Sequence, residues 1–172
     1  VQQIADIFTG KISNWKEVGG SDSPITLYGR ENSSGTYEFF REHVLGKDQR
    51  GIQNDFATNT QVLQGTSALG EAVARDTKGI GYGGVGYFAL RKDIKIIGVK
   101  EDTDADIIYP SKDGIVNYDD IWSGDYSISR YLYCFTDGNP GTEVQHFLDF
   151  IVSNEGQELV KQMEYIPLPK NN

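Results

Sequence analysis

The residues best suited to chemistry stand close together in Tyr28-Gly29-Arg30-Glu31-Asn32-Ser33-Ser34-Gly35-Thr36. Arg30 carries a permanent, planar cation whose N–H fork matches the edge of an oxyanion. Ser34 and Thr36 add hydroxyl donors. Gly35 between them lets a ligand approach the backbone with no Cβ in the way. The stretch joins an expected strand to the start of an expected helix. The first N–H groups of a helix lack intrahelical partners, and the helix dipole places partial positive charge there. Together these groups are suited to holding a tetrahedral oxyanion. The same residues also fit a simpler reading, in which a serine caps the helix and Arg30 is a solvated surface charge. That reading leaves unexplained the glycine between two hydroxyls and the arginine on the incoming strand.

Several elements must position this loop. Ile25 to Tyr28 reads as the incoming strand, and Thr36 to Leu45 as the outgoing helix, with Tyr37, Phe40, Val44 and Leu45 on one face. Ile4, Ile7 and Phe8 predict a short first helix stopped at Gly10, and Ala68 to Ala74 a further one. Gly79 to Gly84, Ile94 to Val99 and Ser127 to Phe135 read as strands. Two helices finish the chain, capped by Thr142 and Asn154. Alternating strands and helices predict an α/β fold, a sheet with helices on both faces in three layers. Asp6-Ile7-Phe8-Thr9-Gly10 echoes Asp120-Ile121-Trp122-Ser123-Gly124, which a shared way of ending a helix explains without any duplication.

The 172 residues carry a net charge of −9, which argues against nucleic-acid or anionic-membrane partners. The length fits about one domain. The single cysteine, Cys134, sits in an apolar run and is expected to be a buried, inert thiol. No stretch approaches the roughly 20 apolar residues of a membrane span, and no signal peptide is visible in a chain that opens on Val1. His43 and His146 lack companions at metal-ligand spacing, so no metal and no cofactor are expected. The acidic run Glu101 to Asp106 lacks the glycine and distal glutamate of a calcium loop and reads as solvated. Ser34 has no nearby base to make it a nucleophile, so no enzyme is expected. Tyr82, Tyr87 and Trp122 read as core or cleft aromatics.

The chain resembles the substrate-binding proteins of phosphate ABC transporters, which have the type 2 periplasmic binding protein fold. The resemblance starts at Ile4-Ala5-Asp6-Ile7-Phe8-Thr9-Gly10-Lys11-Ile12-Ser13-Asn14-Trp15 and runs through Arg30 to Thr36 and Gly79-Ile80-Gly81-Tyr82. It continues in Ser129-Arg130-Tyr131-Leu132-Tyr133, in Phe147 to Ser153, and in Tyr165-Ile166-Pro167-Leu168. The resemblance implies phosphate binding at Arg30, Ser34, Gly35 and Thr36. The family often places an acidic residue two positions after the arginine to orient it. Here that position is Asn32, whose amide carbonyl could take over the support, while Glu31 is expected to point elsewhere.

The resemblance further implies one whole phosphate-binding second lobe, residues 1–125, and a return segment, 126–172, belonging to the first lobe. The chain would then be a C-terminal fragment lacking the first half of that lobe. The family's first lobe supplies a carboxylate that accepts the proton of hydrogen phosphate and so discriminates against sulfate. The implied partners are inorganic phosphate and the membrane permease of an ABC transporter, in the periplasm or at the cell surface. Self-association is a further expectation, because the first lobe would be incomplete. Another oxyanion, sulfate or molybdate, and a phosphate-sensing or interaction module of the same fold are the alternatives. A phosphoester-processing enzyme is disfavoured for want of a base or metal cluster.

Overall fold

The structure, a computed structural model, describes residues 1–169. The last three residues of the expected return segment, 170–172, lie outside the described residues. Helix α1, Gln2–Phe8, buries Ala5, Ile7 and Phe8 and ends where Gly10 takes a left-handed φ of 80°. A single 3₁₀ turn, Trp15–Val18, follows; Asn14 and Glu17 close it as a reciprocal capping pair.

Strand β1, Thr26–Arg30, is the middle of a three-stranded parallel sheet, flanked by β2, Gln61–Leu63, and β3, Gly79–Ile80. Alternation along β1 sorts its side chains to two faces. Leu27 joins Phe8, Phe40, Val44 and Ile80 in the core. Tyr28 points the other way, where its hydroxyl donates to Asp76 Oδ2 at 3.1 Å. Asp76 is the C-cap of α3, Gly65–Arg75. The first face is covered by α1 and by α2, Gly35–Phe39, which runs on as a π-helical turn, Phe40–Leu45. Helices therefore cover both faces of the sheet, as expected. Aromatic rings hold the first face together: Tyr82 stacks on Phe40 at 4.0 Å and meets Phe8 edge-to-face at 5.5 Å, centroid to centroid.

Beyond the sheet come α4, Val85–Phe88, the hairpin β4, Ser111–Lys112, with β5, Ile115–Val116, and α5, Tyr118–Ser123. Gly124 ends α5 with a φ of 85°, the same left-handed stop that Gly10 gives α1, which accounts for the short sequence echo. Helices α6, Thr142–Val152, and α7, Asn154–Gln162, pack on each other, and the tail then returns to the body. Trp122 Nε1 donates to the Pro167 carbonyl at 2.8 Å. A Cβ at Gly86 would collide with the Glu164 backbone carbonyl, so only glycine allows this approach.

Six local expectations are corrected. The strand expected over Gly79 to Gly84 stops at Ile80, because β1 offers it only two register positions. Ile94 to Val99 is not a strand; only Val99 finds a partner, bridging to Ile108. Ser127 to Phe135 is extended without a ladder, since no described strand lies beside it to take its backbone hydrogen bonds. Ile128 packs against the core, but from Tyr131 onward the side chains are exposed, Phe135 at 91%, and Cys134 is exposed rather than buried. At the C-terminal helices, Gly141 rather than Thr142 stands at the N-cap of α6. Ser153 rather than Asn154 caps α7, its Oγ accepting from Gly156 N–H at 3.1 Å.

Candidate functional site

Arg30 is the last residue of β1, so it emerges at the carboxyl end of a parallel sheet, where α/β folds place their ligands. Its guanidinium is held on two sides. Nε and Nη2 donate to the two carboxylate oxygens of Glu31 at 2.9 and 3.0 Å, and Nη1 donates to Thr66 Oγ1 at 2.9 Å. Both side chains of the pair are mostly withdrawn from solvent, 11% and 16% exposed. Three of five donors are thereby used, leaving one N–H on each terminal nitrogen to meet a ligand edge.

Glu31 is therefore the residue that orients the arginine, contrary to the expectation that it points elsewhere. Asn32 is not among the described hydrogen-bond partners of Arg30; it is exposed and lines the neighbouring cleft. Glu31 also accepts from the Gly65 N–H at 3.2 Å, at the start of α3. The Arg30 guanidinium, followed by Glu31's own and Gly65's backbone N–H groups, pulls the Glu31 carboxyl down to about 2, so the pair stays charged throughout the neutral range.

Four residues on, Ser34 is buried at the N-cap of α2, and its Oγ accepts from Thr36 N–H at 3.2 Å. The capping role anticipated in the simpler reading is real. It also leaves the Ser34 hydroxyl proton free to donate outward. The Gly35 N–H and the Thr36 hydroxyl have no partner among the described hydrogen bonds, and Gly35 is exposed. The loop thus presents unpaired donors one turn from the strand end that carries Arg30.

Tyr82 was expected as a core or cleft aromatic and is both. It is buried at 8% exposure, yet its oxygen accepts from the Arg30 backbone N–H at 3.2 Å. Burial pushes its hydroxyl up to about 12, so it keeps its proton and can donate it. Its ring lines a cleft of about 320 Å³ together with Arg30, Asn32, Tyr37 and Thr60. The Thr60 hydroxyl is buried there with no described partner. Ser34, Gly35 and Thr36 do not line that cleft. Sequence reasoning missed Glu31, Thr66 and Tyr82 as supports of Arg30. Their separation along the chain hides Thr66 and Tyr82. Adjacency misleads for Glu31, because neighbours in a strand usually face opposite ways.

A model of the PBP superfamily domain matches residues 1–155. The chain belongs to the PBP superfamily. Within that superfamily it is similar to the phosphate-binding protein PstS of Pseudomonas aeruginosa, 28% identical over 98% of this chain and 53% of that protein. It is similar too to PstS of Bacillus subtilis, 32% identical over 96% of this chain and 49% of that protein. A crystal structure from Clostridium perfringens, of a protein assigned as a phosphate ABC transporter substrate-binding protein and containing bound phosphate, matches with a TM-score of 0.65. It is 30% identical and is covered over 62% of its length by 98% of this chain. The PBP-superfamily chain spans about half the length of the curated relatives it matches.

Proposed function

We propose that this chain carries the arginine side of a phosphate-binding site and serves the uptake of inorganic phosphate by an ABC transporter. Arg30, Ser34, Gly35 and Thr36 are the binding residues, with Glu31 rather than Asn32 orienting the arginine. The observation that carries the reading is the Arg30 guanidinium, clamped by Glu31 and Thr66 with two N–H groups left over, at the strand end that leads into the Ser34–Thr36 loop. Preorganised donors of this kind hold a tetrahedral anion without first reorganising. The similarity to phosphate-binding proteins over nearly the whole chain supports phosphate as that anion.

In this reading residues 1–125 form the phosphate-binding second lobe and 126–172 return into the first lobe. The outward side chains of Tyr131, Leu132, Tyr133 and Phe135, and of Phe147 on α6, support a further layer against the return segment. Such a protein works in the periplasm or at the cell surface, binds without turnover and passes its anion to a membrane permease. Calorimetry with inorganic phosphate tests the site: Arg30→Ala is expected to lower affinity at least about tenfold, the scale of one lost charge-assisted hydrogen bond. Unchanged affinity overturns the assignment. Competition by sulfate or molybdate at equal strength overturns phosphate as the preferred anion.

A further inference from the structure

The clamp on Arg30 creates a charge problem. Glu31 is ionised and bound to the arginine at two points, so the pair as a whole is neutral. A hydrogen phosphate dianion placed beside it gains directed hydrogen bonds but no net positive charge. Another cation comes from far along the chain. The Arg130 Nη2 stands 3.1 Å from where a Cβ on Gly35 would be, and its guanidinium carbon lies 5.1 Å from the centre of the Phe39 ring. Gly35 and Phe39 are one turn apart on α2, so the guanidinium lies along the first turn of that helix.

That is the wrong end of a helix for a cation, because the dipole there is positive. Among the described residues Arg130 has no carboxylate and no hydrogen-bond partner to offset this, and it is exposed. The aromatic face of Phe39 holds it without neutralising it. Resting on the reading of Arg30 to Thr36 as the phosphate site, we propose that Arg130 is the second cation of that site and swings from Phe39 onto the bound anion. The anion would then be gripped from both sides, by β1 and α2 and by the return segment.

Isothermal calorimetry with inorganic phosphate, on the wild type and on Arg130→Gln, Arg130→Lys, Phe39→Leu and Arg30→Ala, tests this. Arg130→Gln is expected to weaken binding about tenfold and to flatten its dependence on sodium chloride, while Arg130→Lys restores most of the affinity. Phe39→Leu removes the resting place but not the charge, and is expected to stay within about threefold of wild type. Arg130→Gln with wild-type affinity, beside an Arg30→Ala that no longer binds, overturns the role of Arg130 and leaves the site reading intact. Equal losses in Arg130→Gln and Arg130→Lys overturn it too, since a charge role predicts rescue. Wild-type affinity in Arg30→Ala overturns the site reading itself.

Discussion

Glu31 and Arg30 are neighbours in the chain, yet their side chains face each other as a two-point ion pair, 2.9 and 3.0 Å across. Consecutive residues of a strand normally diverge. Here β1 ends at Arg30, and the chain turns so that Ser34 N–H donates to the Glu31 carbonyl at 2.9 Å. The turn brings the carboxylate round to the guanidinium, and Gly65 N–H holds it there from the start of α3. One residue thus joins the strand, the Ser34 loop and the helix beneath.

Replacing Glu31 by Gln keeps the shape and removes the charge. The guanidinium loses its two-point anchor, and phosphate affinity is expected to fall several-fold, with the loss smallest at low salt, where the un-neutralised arginine attracts the dianion most strongly. Titration calorimetry at two ionic strengths measures it; affinity at or above wild type would show that the arginine needs no anchor.

The same pair sets a pH dependence. The Glu31 carboxyl is held down to about 2 in the fold, against an ordinary value near 4.3. A depressed carboxyl stabilises the fold fully above its unfolded value, and that contribution disappears as pH falls through the folded one. The melting temperatures of wild type and Glu31→Gln are therefore expected to differ at pH 7 and to converge between about pH 4 and pH 2. A constant difference down to pH 2 contradicts the pairing.

Gly35→Ala separates stability from binding. Gly35 carries no left-handed φ, and alanine favours a helix over glycine by up to about 1 kcal/mol, so the melting temperature is expected to hold or rise. The new methyl meets Arg130 Nη2 at 3.1 Å and occupies the approach to the loop's N–H groups. Phosphate affinity is expected to drop, and an alanine variant that melts higher yet binds equally well would place the anion elsewhere.

The core beneath the site is aromatic and tightly nested. Phe8 is 1% exposed and meets Phe40, Tyr82 and Phe56 edge-on at 5.0 to 6.2 Å. Phe8→Ala is expected to cost about 3–5 kcal/mol in urea unfolding, the range for truncating a buried aromatic. A loss under about 1 kcal/mol would mean that α1 is not part of the cooperative core.

Much of this molecule was legible because local pattern and tertiary structure agree. The spacing of Ile4, Ile7 and Phe8, the run from Thr36 to Leu45 and the segment around Ala68 to Ala74 all become helices that bury the expected faces. The cap that Ser34 gives to α2 was legible from residue type alone. What failed depended on distant partners. Ile94 to Val99 and Ser127 to Phe135 alternate like strands, but a strand exists only where a neighbour takes its hydrogen bonds. Burial of Cys134 failed for the same reason, since an apolar run reports a tendency to be covered and not the cover itself. The direction of Glu31 and the support from Thr66 and Tyr82 arise from the packing of segments about 35 to 50 residues downstream, which no local window contains.

The order of strands in the sheet also carries a message about how the protein comes into being. β1 is flanked on both sides by strands that follow it in the chain, and both pairings are parallel and long-range. A ribosome extruding this chain releases Arg30 well before Thr66 and Tyr82 emerge, so the arginine first meets the cell with nothing to hold it. Parallel pairing across such separations closes slowly. Clamping of the arginine is consequently a late event in the life of the nascent chain, and the exposed edges of β1 are what a chaperone would first need to shield.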